Sequence, residues 1–350
     1  MKVALDAMGG DNAPQINITG AIEALRDFKK LTHLYLVGEE SALKKECAAQ
    51  GLDLKNPRVS IVHAAEVIGM SESGAKSVRR KKQSSISIAM DMVKEGTADA
   101  FVSAGNTGAA VAAATIKLRC LKGIDRAGIA SPLPNEHGIC NILDAGANPE
   151  AKPEHLVGYA VMGTAFARHV LGVSEPRVGL MSNGEEEEKG TTFTKETFKQ
   201  LKATPGINFI GNVEGHDLFE TKLDIVLCDG FVGNIVLKSV EATAKAVSKW
   251  LKTEIKETPL RMAGAVLAQG AFKALKAKSS YETYGGSPLL GVNGVVIIAH
   301  GSSTGLAVRN AIRVAVETVE HKINPRIEEA MADLPSCKPV EFIKNVLHKD

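Results

Sequence analysis

Four segments in which an apolar run ends in a glycine-bearing turn carry the residue types suited to holding an anion. They are SAGNTGAA (Ser103 to Ala110), MSNGEEEEKGT (Met181 to Thr191), CDGFVGN (Cys228 to Asn234) and AHGSSTG (Ala299 to Gly305). Where such a turn leads from a strand into a helix, the helix N-terminus offers unpaired backbone amides and the positive end of its dipole. Each glycine could merely turn the chain, but every one of these turns also carries Asn, Ser or Asp. Together they point to one crevice for phosphate or carboxylate. Its expected residues are Gly105, Asn106 and Thr107; Asn183 and Gly184; Asp229, Gly230, Gly233 and Asn234; and His300, Gly301, Ser302 and Ser303. Lys189 stands beside an expected helix start, with acids before it and Gly190 after it, where an ammonium could reach the bound anion.

Other chemistries leave no such trace. No G-x-G-x-x-G occurs and no Gly-Lys dipeptide, so neither a dinucleotide fingerprint nor a P-loop can be written. His and Cys do not cluster at metal-ligand spacing, and H-E-x-x-H is absent. No cofactor and no metal are expected. The run Glu185 to Glu188 reads as dipole partners at a helix start rather than as an ion site. Gly301 to Gly305 satisfies G-x-S-x-G, the nucleophile-elbow pattern, with Ser303 as its nucleophile. In that fold an acid and a histidine follow on later strand ends. Too little chain remains here, and Asp333, His321 and His348 fall in unsuitable places, so Ser302 and Ser303 read instead as helix-capping and anion-binding.

These turns need a sheet to hold them together. Short β-branched runs alternate with longer helical patterns: Lys2 to Ala7, Leu34 to Gly38, Val59 to Ala64, Ala100 to Gly105, and on to Val295 to Gly301. Apolar runs such as Ile225 to Leu227 and Val295 to Ile298 lack polar alternation, as expected of strands buried on both faces. The expected fold is a three-layer α/β/α sandwich around a large, mostly parallel sheet. No repeat or linker divides the chain, so residues 1–350 form one continuous unit in which two lobes, if present, share a sheet.

Two basic features lie outside the crevice. Arg79, Arg80, Lys81 and Lys82 precede a helical stretch and could receive an acidic protein partner. Residues 234–278 read as a basic amphipathic helical pair. Val240, Ala244, Val247 and Leu251 trace one face beside Trp250, and Leu260, Ala263, Leu267, Ala271 and Leu275 trace a second after the Thr258-Pro259 helix start. Core packing, a dimer interface or an anionic membrane surface could take this face. With a net charge of +2 and 4% aromatic residues there is no field or stacking platform for nucleic acid. Five cysteines without a C-x-x-C pair argue for a reducing cytoplasm, and the first apolar run is too short for a signal peptide or a span, so the chain is expected to begin at Met1.

Longer motifs resemble the PlsX family: ALDAMGGDNAP from Ala4, SAGNTGA from Ser103, LDAGAN from Leu143 and AKPEHLVGYAVMGTAFA from Ala151. GLMSNGEEEEKG from Gly179, DGFVGNIVLK from Asp229, and YGGSPLLGVNG followed by AHGSS complete the series. They occur in family order over nearly the whole chain, from Lys2 to about residue 323. Ser182, Ile298 and the loop Met70 to Ser77 depart from the pattern, which leaves direct anion contact at 182 and 298 open. The resemblance implies transfer of a long-chain acyl group from acyl carrier protein to inorganic phosphate, in phospholipid synthesis. It implies a fold similar to isopropylmalate dehydrogenases and phosphotransacetylases, without cofactor. It also implies a cytoplasmic homodimer, peripherally associated with the membrane and with a membrane glycerol-phosphate acyltransferase. Carrier-protein docking then falls to Arg79, Arg80, Lys81 and Lys82, and dimer or membrane contact to Trp250, Leu251, Leu260 and Leu267.

The expected mechanism is direct attack of phosphate on the thioester, with Lys189 balancing phosphate charge, Asn234 donating to the oxyanion or substrate, and Asn106, Asn183 and His300 around the crevice. A hydroxy-acid dehydrogenase of similar fold, or a non-catalytic scaffold that binds acyl carrier protein, is the competing reading.

Overall fold

Runs such as Val-Val-Ile-Ile and Ile-Val-Leu have no polar face to give to water, so they are stable only with helices on both sides of the sheet. In the computed structural model, which describes residues 1–279 and 281–334, they are strands of that kind. Cys337 and His348 lie outside the described residues. The strands in chain order are β1 (Lys2–Asp6), β2 (His33–Gly38), β3 (Val59–His63), β4 (Ala100–Ser103), β5 (Gly128–Ile129) and β6 (Ser131–Asn135). They continue as β7 (Gly138–Leu143), β8 (Arg177–Met181), β9 (Asn208–Val213), β10 (Ile225–Leu227), β11 (Ser287–Leu290) and β12 (Val295–Ile298).

Hydrogen bonding divides them into a seven-stranded sheet, β3-β2-β1-β4-β12-β11-β5, and a five-stranded sheet, β6-β7-β10-β8-β9. A single shared sheet was expected. The parallel ladder is interrupted where β11 pairs antiparallel with β12 and β5, and where β6 pairs antiparallel with β7. The two sheets abut at that seam: Ala130 N donates to Pro288 O, and Ala145 N to Ile129 O. Away from it, β3-β2-β1-β4-β12 and β7-β10-β8-β9 are parallel, so the carboxyl ends within each set emerge on one edge. Helices cover both faces, giving the α/β/α layers. Leu5, Leu34, Leu36 and Ile312 are among the residues of one buried cluster beside the larger sheet. Tyr159, Leu143, Leu180 and Ile225 belong to another beside the smaller.

The basic amphipathic region departs from a two-helix reading. Helix Gly230–Lys256 begins four residues before Asn234, because Asp229 caps it by accepting from Phe231 N at 2.9 Å and Val232 N at 2.8 Å. The second apolar face is split into helices Pro259–Leu267 and Gln269–Ser279. Thr258 caps the first of these, accepting from Arg261 N. Among the described residues no helix is long and apolar enough to cross a membrane.

Candidate active site

The tip of β4 is held by two buried polar side chains. Asp6, at the end of β1, accepts from Ser103 Oγ at 2.7 Å and from Met8 N, tying neighbouring strand ends together. Asn106 caps helix Thr107–Lys117 by accepting from Ala109 N at 2.9 Å, while its Nδ2 donates to the carbonyls of Gly69, Met70 and Glu72. Both ends of this amide are engaged in scaffolding. The expectation that Asn106 faces the crevice gives way to its neighbour Thr107, which does line it.

An equivalent device closes the smaller sheet. Asp144, fully buried after β7, accepts from Ile129 N, Gly146 N and Ala147 N through Oδ1, each at 2.9 Å, and from Asn148 N through Oδ2 at 2.6 Å. Burial pushes its carboxyl above the ordinary range, and the four backbone amides pull it back. Leu5-Asp6-Ala7 and Leu143-Asp144-Ala145 both place a carboxylate under a strand tip, a role not evident from their motifs. The repeated tripeptide was the available signal. Asp144 also sets the start of helix Gly230–Lys256. Gly230 N donates to Asn148 O, and Gly233 passes so close to the Asp144 carbonyl that a Cβ would overlap it.

Between the two sets of strand tips lies a cavity of about 910 Å³. Thr107 enters it from β4, Ala299 and His300 from β12, Ala145 from β7, and Asn234 from the second turn of helix Gly230–Lys256. Apolar groups of Leu133, Phe219, Leu237 and Val240 line its wall, while Lys238, Lys245, Lys249, Lys252 and Lys256 line the side formed by the same helix. His300 Nδ1 lies 2.8 Å from Ser302 Oγ and accepts from Ser302 N at 3.1 Å, and its Nε2 lies 3.5 Å from Glu241 Oε2. The hydrogen bond with His300 is the chief cause holding the Glu241 carboxyl below its ordinary value, with Lys238 and Lys245 adding to it.

Several expected residues sit elsewhere. Lys189, Asn183 and Gly184 lie on the loop after β8, one strand beyond β10, and none of them lines the cavity. Lys189 is exposed, with its stem packed along Gly184. The cap of helix Gly305–Glu320 is Thr304, which accepts from Ala307 N, rather than Ser302 or Ser303. A hydroxyl caps best from the residue immediately before the first turn. Ser303 is 1% exposed, and its hydroxyl has no hydrogen-bond partner among the described residues, so it meets no base of a hydrolase triad. In the basic run, Lys81 donates to Val67 O and to Glu72 Oε1, and Arg80 lies 3.5 Å from Glu72, while Arg79 and Lys82 are exposed. Trp250, Leu251, Leu260 and Leu267 are all exposed, the last at 89%. Glu185, His216 and Asp217 bring possible ligand atoms within 4.8 Å of one another, but none lines the cavity, and Asp217 already accepts from Glu214 N and Thr221 Oγ1.

Comparison with known proteins places this architecture. The model of the family described as "Fatty acid synthesis protein" matches residues 1–326. A phosphate acyltransferase of Akkermansia muciniphila is 61% identical over 97% of this chain and 98% of its own length. One from Pelotomaculum thermopropionicum is 49% identical over 95% and 96%. Among solved structures, a phosphotransacetylase from Streptococcus pyogenes superposes with a TM-score of 0.59 at 16% identity, covering 91% of this chain and 94% of that one. A branched-chain phosphotransacylase from Enterococcus faecalis V583 gives 0.55 at 14%, covering 91% and 99%. These two share the fold, while the first two share the sequence almost end to end, so the chain belongs to the fatty acid synthesis protein family, the PlsX family that its motifs resemble.

Proposed function

We propose that the chain transfers a long-chain acyl group from an acyl carrier protein thioester to inorganic phosphate. The observation that carries this reading is the cavity itself, which Thr107, Asn234 and His300 all line together with an apolar wall. Each methylene buried against such a wall contributes about 0.8 kcal/mol, so Leu133, Phe219, Leu237 and Val240 supply what an acyl chain needs. Phosphate attacks the thioester carbonyl, a carbon–oxygen bond forms, and the carbon–sulfur bond breaks with its electron pair leaving on the thiolate. A thiol with an ordinary pKa of about 8.5 leaves readily, and phosphate is already ionised, so positioning and charge stabilisation dominate. Asn234 donates to the developing oxyanion. Lys189, outside the cavity in this structure, would have to swing in from the β8 loop to reach the phosphate, alongside Asn183, Gly184 and the turns at Gly230 and Gly301.

The same reading assigns carrier-protein docking to Arg79, Arg80, Lys81 and Lys82, supported by the exposure of Arg79 and Lys82. It assigns dimer or peripheral membrane contact to the exposed apolar groups of Trp250, Leu251, Leu260 and Leu267, in a cytoplasmic enzyme whose product feeds a membrane glycerol-phosphate acyltransferase.

The test mixes purified protein, acyl carrier protein thioester and phosphate, and follows free thiol and acyl phosphate. Wild type should release thiol only with phosphate present. Lys189→Ala and Asn234→Ala should each lose about 10²- to 10³-fold in kcat, the scale of one lost oxyanion donor. Full activity in both variants overturns the residue roles. Carrier binding without thioester consumption overturns the reaction and leaves a scaffold, and turnover that requires a nicotinamide leaves a dehydrogenase.

A further inference from the structure

Glu241 is a carboxylate on the wall of a cavity read above as the seat of two anions, and its place there needs an explanation. It lies on helix Gly230–Lys256, which follows β10 of the smaller sheet, whereas His300 follows β12 of the larger. Their 3.5 Å contact therefore joins the two halves across the cleft. The other ring nitrogen fixes what that contact is. A backbone N–H can only donate, so Nδ1, which receives Ser302 N at 3.1 Å, must carry its lone pair. In the neutral ring the proton is then on Nε2, the nitrogen that faces Glu241 Oε2. Both contacts hold together in this tautomer and conflict in the other, where Nδ1–H would meet Ser302 N–H. Lys238 and Lys245 lie one turn to either side of Glu241 and add to the stabilisation of its charge, but the His300 hydrogen bond outweighs them.

We infer that Glu241 is a positioning residue of this site: by accepting from His300 Nε2 across the cleft, it selects the tautomer that lets Nδ1 hold Ser302, and so fixes the Ala299–Ser303 turn against Asn234's helix. The inference rests on the acyl-transfer reading for its kinetic consequence only. Two measurements test it. In protein labelled with [15N]histidine, with the His300 signals assigned by their loss in His300→Gln, the wild-type ring should carry its proton on Nε2 near neutral pH. Glu241→Leu, which takes away the acceptor facing Nε2, should raise the fraction of rings protonated on Nδ1. The same variant should lower kcat for thiol release about ten- to a hundredfold, the scale of lost supporting partners, with KM for phosphate within about twofold. Glu254→Gln, an acid on the same helix paired with Arg261, should match wild type. A wild-type ring protonated on Nδ1, or a Glu241→Leu enzyme with wild-type kcat, overturns the inference. A wild type that consumes no thioester overturns the functional reading instead, and the tautomer result still decides the role of Glu241.

Discussion

Asp144 shows how much of the site is built by groups that never meet substrate. Four backbone amides converge on its carboxylate, and that bundle sets the loop against which Gly230 and Gly233 pack, at the start of the helix that carries Asn234. A side chain at Gly233 would overlap the Asp144 carbonyl and come within 2.8 Å of Cys228 Sγ. Gly233→Ala should therefore destabilise the protein by about 1–3 kcal/mol, the range for overpacking a close contact. By contrast, Gly264 has nothing within 4 Å of an added Cβ, and Gly264→Ala should be neutral or gain up to about 1 kcal/mol from helix propensity. Denaturant unfolding midpoints of the two variants check the pair, and equal shifts would sink the packing argument. At this scale the sequence was half legible. Asn234 and His300 were identifiable as cavity residues from their turns, whereas Asn106 was not identifiable as a scaffold, because its three carbonyl partners come from residues 69–72, far away in sequence.

Among the elements, the segment from Val67 to Lys81 is organised by one acid. Glu72 accepts from Lys81 Nζ, Gly69 N and Ser77 Oγ, and the Lys81 hydrogen bond leads the causes that bring its carboxyl to about 2. A carboxyl depressed in the fold stabilises fully above its unfolded value of about 4.3, and loses that contribution as pH falls through its folded value. Protection from hydrogen exchange at Gly69 and Ser77, taken relative to the intrinsic rate at each pH, should accordingly fall between about pH 4 and pH 2 in wild type. Glu72→Gln should exchange faster already at neutral pH and show little further acid step. Identical exchange profiles would show that the ion pair does not hold the segment. Element boundaries were the better-read part of this molecule. Strands at Leu34, Val59, Ala100 and Val295 were announced by short, largely apolar runs, unbroken and wholly β-branched only in Val295–Ile298. The break between Pro259–Leu267 and Gln269–Ser279 was not, since the apolar spacing continues through it without a proline or a capping residue.

For the whole molecule, the exposed apolar groups are the feature that demands a partner. Leu260 at 83%, Val266 at 72% and Leu267 at 89% exposure stand together on one short helix, with Trp250 and Leu251 on the helix before it. Large apolar patches of this kind mark interaction surfaces. Replacing Leu260 and Leu267 by Gln should leave the fold and the cavity unchanged but alter association. If the face is a subunit contact, light scattering should show a smaller particle. If it rests on lipid, flotation with vesicles rich in anionic phospholipid should fall while particle mass stays constant. A double variant that changes neither quantity would refute both uses of the face. The α/β/α class was legible from periodicity alone, but the division into two sheets was not. The antiparallel β5, β6 and β11 that make the seam are two to five residues long, and Pro132, Pro134 and Pro288 interrupt the apolar runs that mark the parallel strands.

Helix Gly230–Lys256 spans both of these regions without a break. Asn234 stands near its beginning and Trp250 near its end, sixteen positions on, or roughly 24 Å at 1.5 Å per residue. Because Lys249, Lys252 and Lys256 of this rod also line the cavity, the hollow runs the length of the helix, and a surface that receives the Trp250 end lies beside its far end. An apolar product of the proposed reaction would then have the same helix as its guide to a hydrophobic phase.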